Sequence, residues 1–218
     1  MLQVSSQPFH DRAEAGELLA DRLSGLADRD DVVVLALPRG GVPVGYEVAT
    51  ALRVAFDVFV VRKLGVPGQE ELAMGAIASG GVRIVNHDVV DSLGIPAAVI
   101  DQVAQRENIE LERREGLYRG QRPLIPLEDK TVVLVDDGLA TGATMRVSVT
   151  AVRRQQPARI IVAVPVGAAS TCEELGGEAD EVICLRSPDP FVAVGLWYRD
   201  FTETSDNDVR ALLARNRP

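Results

Sequence analysis

Residues 131–144 read TVVLVDDGLATGAT, and the fold follows from the order of that run. Thr131–Val135 is β-branched or apolar without interruption, the pattern of a strand buried on both faces in a parallel sheet. Two carboxylates, Asp136 and Asp137, close the strand, and Gly138 leads into a small-residue turn, Ala140-Thr141-Gly142-Ala143-Thr144. An apolar stripe at helical spacing follows, Met145, Val149 and Val152. A helix starting here offers free N–H groups and the positive end of its dipole, worth about 0.3–1 kcal/mol to a nearby anion. Gly142 and the alanines let the backbone approach a phosphate, whose oxygens the Thr141 and Thr144 hydroxyls can bond. Extended geometry would send the two aspartates to opposite faces, so the chain must leave it near Gly138 for both to serve one ligand. Such a ligand has a phosphate at one end and, for the carboxylates, hydroxyls or a magnesium ion. No Gly-Lys-Thr/Ser sequence follows, so the turn is not a Walker loop.

Working outward, residues 32–37 form a second continuously apolar strand, followed by Pro38-Arg39-Gly40-Gly41 and a helix to about residue 52. Val42 stands where a dinucleotide fingerprint needs its second glycine. What remains is a basic residue and two glycines at the carboxyl end of a strand, where open α/β sheets bind ligands. Residues 57–61 read as another strand, with Arg62 and Lys63 at its end. Residues 65–71, GVPGQEE, are rich in breakers and polar groups and predict a mobile loop. A hairpin is expected over 73–78 and 82–85, and a long helix over 96–118 whose charged face could serve a homodimer contact or simply meet solvent. An amphipathic helix over 11–27 is read as packing. After the central motif come a helix to about 155, a strand at 159–164, a short helix at 168–175 and a strand at 181–185. This alternation predicts a mainly parallel sheet covered on both faces. Residues 187–201 are irregular and hold Phe191, Trp197, Tyr198 and Phe201 in a chain only 4% aromatic. Ser205 with Asp208 predicts a capping box opening a last helix.

The composition narrows the function. At 218 residues, 46% hydrophobic and 25% charged, the chain has an ordinary globular balance with room for a substantial core. A net charge of -9 argues against a broad nucleic-acid or acidic-membrane surface, so an anionic substrate needs locally placed basic groups. Lysine is scarce, occurring only at Lys63 and Lys130, which makes Lys63 mildly informative. Cys172 and Cys184 are too few for a disulfide framework or zinc site and point to a reducing compartment. The start, MLQVSSQPFHDRAEAG, has neither a basic opening nor an apolar core, and no run reaches membrane-spanning length, so a cytoplasmic location is expected.

The run VVLVDDGLATGAT resembles, along its whole length, the phosphoribosyl diphosphate motif of type I phosphoribosyltransferases. The resemblance implies an α/β fold with a mainly parallel sheet, a flexible lid loop and a small C-terminal hood at about 186–202, in one domain over 1–218. It implies that Asp136 and Asp137 hold the ribose hydroxyls and a magnesium ion, while Gly138 and Ala140, Thr141, Gly142, Ala143 and Thr144 wrap the 5′-phosphate. Arg39-Gly40-Gly41 resembles the short loop that grips pyrophosphate in this family, often through a cis peptide. In the lid, Lys63 would meet the diphosphate and Glu70 or Glu71 would exchange a proton with the base. PDPFVAVG resembles the hood of hypoxanthine-guanine phosphoribosyltransferases, with Phe191 stacking on the purine and Val192 bonding its edge. The implied activity is magnesium-dependent transfer of a phosphoribosyl group from phosphoribosyl diphosphate to a nucleobase, a purine, with release of pyrophosphate. One departure stands out: 6-oxopurine enzymes carry a third acidic residue in the phosphate loop, where this chain has Ala140, as adenine enzymes do. The alternative is a regulatory protein that keeps the cradle and senses phosphoribosyl diphosphate or a nucleotide without chemistry.

Overall fold

The computed structural model describes residues 7–216. Its main sheet has five parallel strands in the order β2-β1-β6-β7-β8, namely β1 Val32–Ala36, β2 Ala55–Val58, β6 Thr131–Val135, β7 Arg159–Val166 and β8 Glu181–Arg186. Both β1 and β6 are buried at every position, as their unbroken apolar sequences require. Side chains alternate between two layers: Val32, Val34, Ala36, Val133 and Val135 enter one, Val33, Leu35, Val132 and Leu134 the other. The first layer is filled by α1 Arg12–Arg22, α2 Gly41–Leu52, α4 Ala97–Arg119 and α7 Asp206–Arg215, through Leu19, Val48, Val103 and Leu213 among others. The second is filled by α5 Ala143–Arg153 and α6 Ala169–Leu175, through Met145, Val149, Val152 and Leu175. Each such side chain contributes about 1.5–3 kcal/mol by leaving water. Among the described residues no helix is long and apolar enough to cross a membrane.

Two sequence expectations need correction. Residues 57–61 are not one strand: β2 ends at Val58, and β3 Val61–Val66 belongs to a second, antiparallel sheet with β4 Gln69–Ala78 and β5 Val82–Val85. The chain changes sheets at Phe59-Val60, where the N–H of Val60 donates to Ser79 Oγ at 2.9 Å. Nor are residues 65–71 a loop. They form the ends of β3 and β4, with Val66 opposite Gln69 across the turn Pro67-Gly68. Proline followed by glycine at φ 81° is the signature of a type II turn, and Gly65 is needed because a Cβ there would lie 2.6 Å from the Glu70 carbonyl oxygen. The breakers thus encode a tight hairpin. A helix the sequence reading did not anticipate, α3 His87–Leu93, starts from Asn86, whose side chain accepts from Val89 N–H. Elsewhere boundaries move little: the expected helix 11–27 becomes α1 and a short 3-10 turn at Ser24–Leu26, and the Ser205/Asp208 capping box is present.

The two sheets are joined by a buried polar knot. Arg119, at the end of α4, donates from Nε to Asp57 Oδ1 at 3.0 Å, from Nη1 to Glu115 at 2.9 Å and from Nη2 to the Val58 carbonyl at 2.8 Å and Ser79 Oγ at 3.1 Å. Burial raises the Asp57 carboxyl above its ordinary range, and Arg119 opposes the shift.

Candidate functional site

Register positions the site. Strands β1 and β6 run side by side with Ala36 opposite Val135, and the N–H of Leu37 donates to the Val135 carbonyl at 2.9 Å. The segments leaving the two carboxyl ends, 38–41 and 136–142, therefore emerge as neighbours. The Pro38–Arg39 peptide is cis. Gly40 lies so close to Asp137 that any Cβ would strike the carboxylate, and a Cβ on Gly41 would meet the Val135 carbonyl oxygen at 2.7 Å. The two glycines of the PRGG run thus allow one loop to rest directly on the acidic pair of the other.

The aspartates differ in surroundings. Asp136 Oδ1 accepts the N–H of Asp137 at 2.9 Å and has no ion pair among the described residues. Burial, then the charge on Asp137, raises its pKa well above the ordinary carboxylate value. Asp137 is gripped by Arg12, with Nε donating to Oδ2 at 2.9 Å and Nη2 at 2.8 Å. Burial raises Asp137 as well, and the guanidinium opposes it. Arg12 is itself fixed: Nη1 donates to the Thr202 carbonyl at 2.8 Å, and the guanidinium lies 4.0 Å from the centre of the Phe201 ring. Tyr198 completes the clamp, its hydroxyl donating to the Asp137 carbonyl at 2.6 Å. The sequence reading assigned α1 to packing and missed Arg12, which stands 125 residues from its partner and belongs to no local motif. Tyr198 was noted only as an aromatic.

Beyond the pair, the small turn has the shape its composition predicts. Leu139 N–H donates to the Val166 carbonyl and Ala168 N–H to the Leu139 carbonyl, fixing the turn to the end of β7. Thr171 Oγ1 donates to the Ala140 carbonyl at 2.8 Å. Gly142 is in the left-handed region at φ 67° and caps α5, which has no side-chain cap. Thr141 and Thr144 are exposed beside that helix start, and Ala143 is half-buried. Gly138 is required because Val194, from the C-terminal segment, packs against it: a Cβ would lie 2.6 Å from a Val194 methyl.

The remaining sequence candidates fall into three groups. Arg39 is beside the pair in sequence, but its side chain turns outward to Glu203, with Asp206 at 3.8 Å. Phe191 is half-buried against the cluster of Phe9, Val166 and Tyr198, while Val192 is 72% exposed. Lys63, Glu70 and Glu71 are exposed on the β3–β4 hairpin, and no hydrogen bond or ion pair among the described residues joins them to Asp136 or Asp137.

For magnesium, the donor set can be tested. Among the described residues no three or more His, Cys, Asp or Glu side chains are grouped to hold a metal. Two adjacent carboxylates without a third fit an ion shared with substrate oxygens and water, the usual manner for magnesium, and not an all-protein cage.

Comparison with known proteins agrees with this geometry. The family described as phosphoribosyl transferase domain matches residues 9–197. A Mycobacterium tuberculosis protein provisionally named a phosphoribosyl transferase is 49% identical over 207 residues, 95% of this chain and 46% of its own length. The bifunctional protein PyrR of Clostridioides difficile is 33% identical over 90 residues, 39% of this chain and 51% of its own. The chain thus spans about half the length of these curated relatives. The crystal structure of TT1426 from Thermus thermophilus is 41% identical, with a TM-score of 0.85 over 96% of this chain and 99% of its own.

Proposed function

This chain belongs to the phosphoribosyl transferase family, and on that premise we propose that it transfers the 5-phosphoribosyl group of phosphoribosyl diphosphate to a nitrogenous base, a purine, releasing pyrophosphate. The observation that carries the reading is the enclosed Asp136–Asp137 pair beside the uncapped start of α5, with the Gly40-Gly41 loop resting on it. In this reading the two carboxylates accept the ribose 2- and 3-hydroxyls, for which their incomplete compensation by Arg12 prepares them. Backbone N–H groups at the start of α5, with Thr141 and Thr144, take the 5′-phosphate. Arg39 swings from exposed Glu203 to the diphosphate, joined by the loop amides of Gly40 and Gly41 and by Lys63 when the hairpin closes. The bond from C1 of the ribose to the pyrophosphate oxygen breaks as the base nitrogen bonds to C1. The nitrogen's proton passes to Glu70 or Glu71. Positive charge on the sugar lies near the aspartates and negative charge leaves towards Arg39 and Lys63, the kind of preorganised field that supplies much of an enzyme's rate. Magnesium, held by Asp136 and Asp137 with substrate oxygens, would neutralise the diphosphate. Phe191 stacks on the base and Val192 offers its backbone to the base edge.

A second reading, phosphoribosyl diphosphate or nucleotide sensing without turnover, draws on Ala140: its carbonyl is already taken by Thr171 and no carboxylate follows in the turn. Following pyrophosphate after mixing the protein with phosphoribosyl diphosphate, magnesium and a panel of purines and other bases decides between them. Release that depends on a purine supports transfer; saturable binding of phosphoribosyl diphosphate with no release under any base supports the sensor and sinks the transferase.

A further inference from the structure

A cavity of about 820 Å³ lies at the other end of the sheet from the acidic pair. Val32 and Ala55, the first residues of the parallel strands β1 and β2, line it, whereas Asp136 follows the last residue of β6. Its volume is within the usual range of small-molecule sites, and its floor is apolar, built from Val54, Phe56 and Ile125. Tyr46 meets Phe56 edge-on, at 6.3 Å and 70°, and forms one wall.

Charge around the rim is unevenly committed. Arg29 is held by Asp31 and Arg53 by Asp28, each through two hydrogen bonds, and Asp57 by Arg119. Arg122 and Arg215 have no ion pair among the described residues. The first donates from Nε to the Arg119 carbonyl at 3.3 Å, and the second lies 5.2 Å from the centre of the Tyr46 ring, where Glu47 feels its charge. Asp30 is the one uncommitted carboxylate among the lining side chains. Four lining arginines, two of them outside any ion pair among the described residues, against Asp30 and Asp57 leave a positive mouth over an apolar floor, on a chain whose net charge is -9.

We propose that this cavity is a second ligand site, for a planar aromatic or heteroaromatic molecule bearing a single anionic group. The ring lies against Tyr46 and Phe56, and the anion meets Arg122 and Arg215. Aromatic contact tolerates many ring substituents, so the ring sets affinity and the two arginines set the requirement for charge. The site stands independently of the proposed transfer, because its residues belong to neither the acidic pair nor the small turn.

The test titrates full-length protein with anilinonaphthalene sulfonate, an aromatic monoanion read by fluorescence. The Arg122→Gln/Arg215→Gln variant, both positions exposed, is expected to keep the wild-type circular dichroism and to bind the probe about tenfold more weakly. A Thr141→Ala/Thr144→Ala variant is expected to bind it as wild type does. Competition with 2-naphthoate and with adenosine monophosphate separates carboxylate-bearing from phosphate-bearing ligands, and displacement by either supports the site. Equal affinity in wild type and the arginine variant, loss in the threonine variant, or displacement by neither competitor overturns it.

Discussion

Arg119 with Asp57 and Arg12 with Asp137 are built from the same two side chains, yet only the first is closed. In each region an aspartate accepts a neighbouring backbone N–H, Asp57 from Val58 at 2.8 Å and Asp136 from Asp137 at 2.9 Å. In the first, Arg119 spreads its remaining donors over Glu115, Ser79 and a carbonyl. In the second, one guanidinium faces two adjacent carboxylates, and Asp136 is left without a cation of its own. A fully compensated pair holds elements together; an under-compensated pair at a strand end is, in the proposed reading, what hydroxyls or a cation would complete. On that reading, buried charge points to a ligand where its compensation is incomplete.

The largest effect should come from the closed pair. Arg119→Met leaves Asp57 buried without its partner and is expected to cost about 3–5 kcal/mol in urea unfolding. A loss below about 1 kcal/mol would break the comparison. At the open pair, Asp136→Asn with Asp137→Asn should lower kcat/KM for pyrophosphate release by about a hundredfold or more while the chain stays folded. Asp136→Asn alone should raise Tm at neutral pH. The sign follows from linkage: burial and Asp137 place the folded pKa of Asp136 above its ordinary 3.8, so stability falls as pH rises from that value through the raised one, and a neutral amide removes the loss. A lower Tm would mean the carboxylate stabilises the fold after all.

Acid–base profiles sharpen the contrast further. Activity should rise with pH as the aspartate pair ionises, and Arg12→Gln should move that limb to higher pH, because the guanidinium is what opposes the upward shift of Asp137. An unmoved limb would detach the pair from the reaction. Phe191→Ala is expected to raise KM for the base by about tenfold with little change for phosphoribosyl diphosphate, in line with the 1–3 kcal/mol or so of a base–aromatic stack. The smallest effect, about 1 kcal/mol of stability, is expected for Thr171→Val, which removes the bond to the Ala140 carbonyl.

The central motif was legible because its chemistry is local. Five apolar residues, two aspartates and a small turn specify strand, carboxylates and helix start within fourteen positions, and the structure places them so. The PRGG run was legible as a turn at the carboxyl end of a strand, although the reason for its glycines, contact with the next strand's carboxylates, needs the register of β1 on β6. GVPGQEE misled because proline and glycine mark a loose loop and a two-residue turn alike, and only pairing across the turn tells them apart. Arg12 was not legible: a helix residue with a mostly solvated face gives no sign that its guanidinium reaches Asp137.

The clamp on Asp137 joins Arg12, which precedes the sheet, to the Tyr198–Thr202 segment, which follows it. Contacts of such sequence separation close late, once the intervening strands have paired. A chain that has not yet brought residue 202 to α1 therefore carries its small-residue turn already shaped but its acidic doublet unsecured. Securing that doublet waits on a carbonyl 190 positions downstream of Arg12.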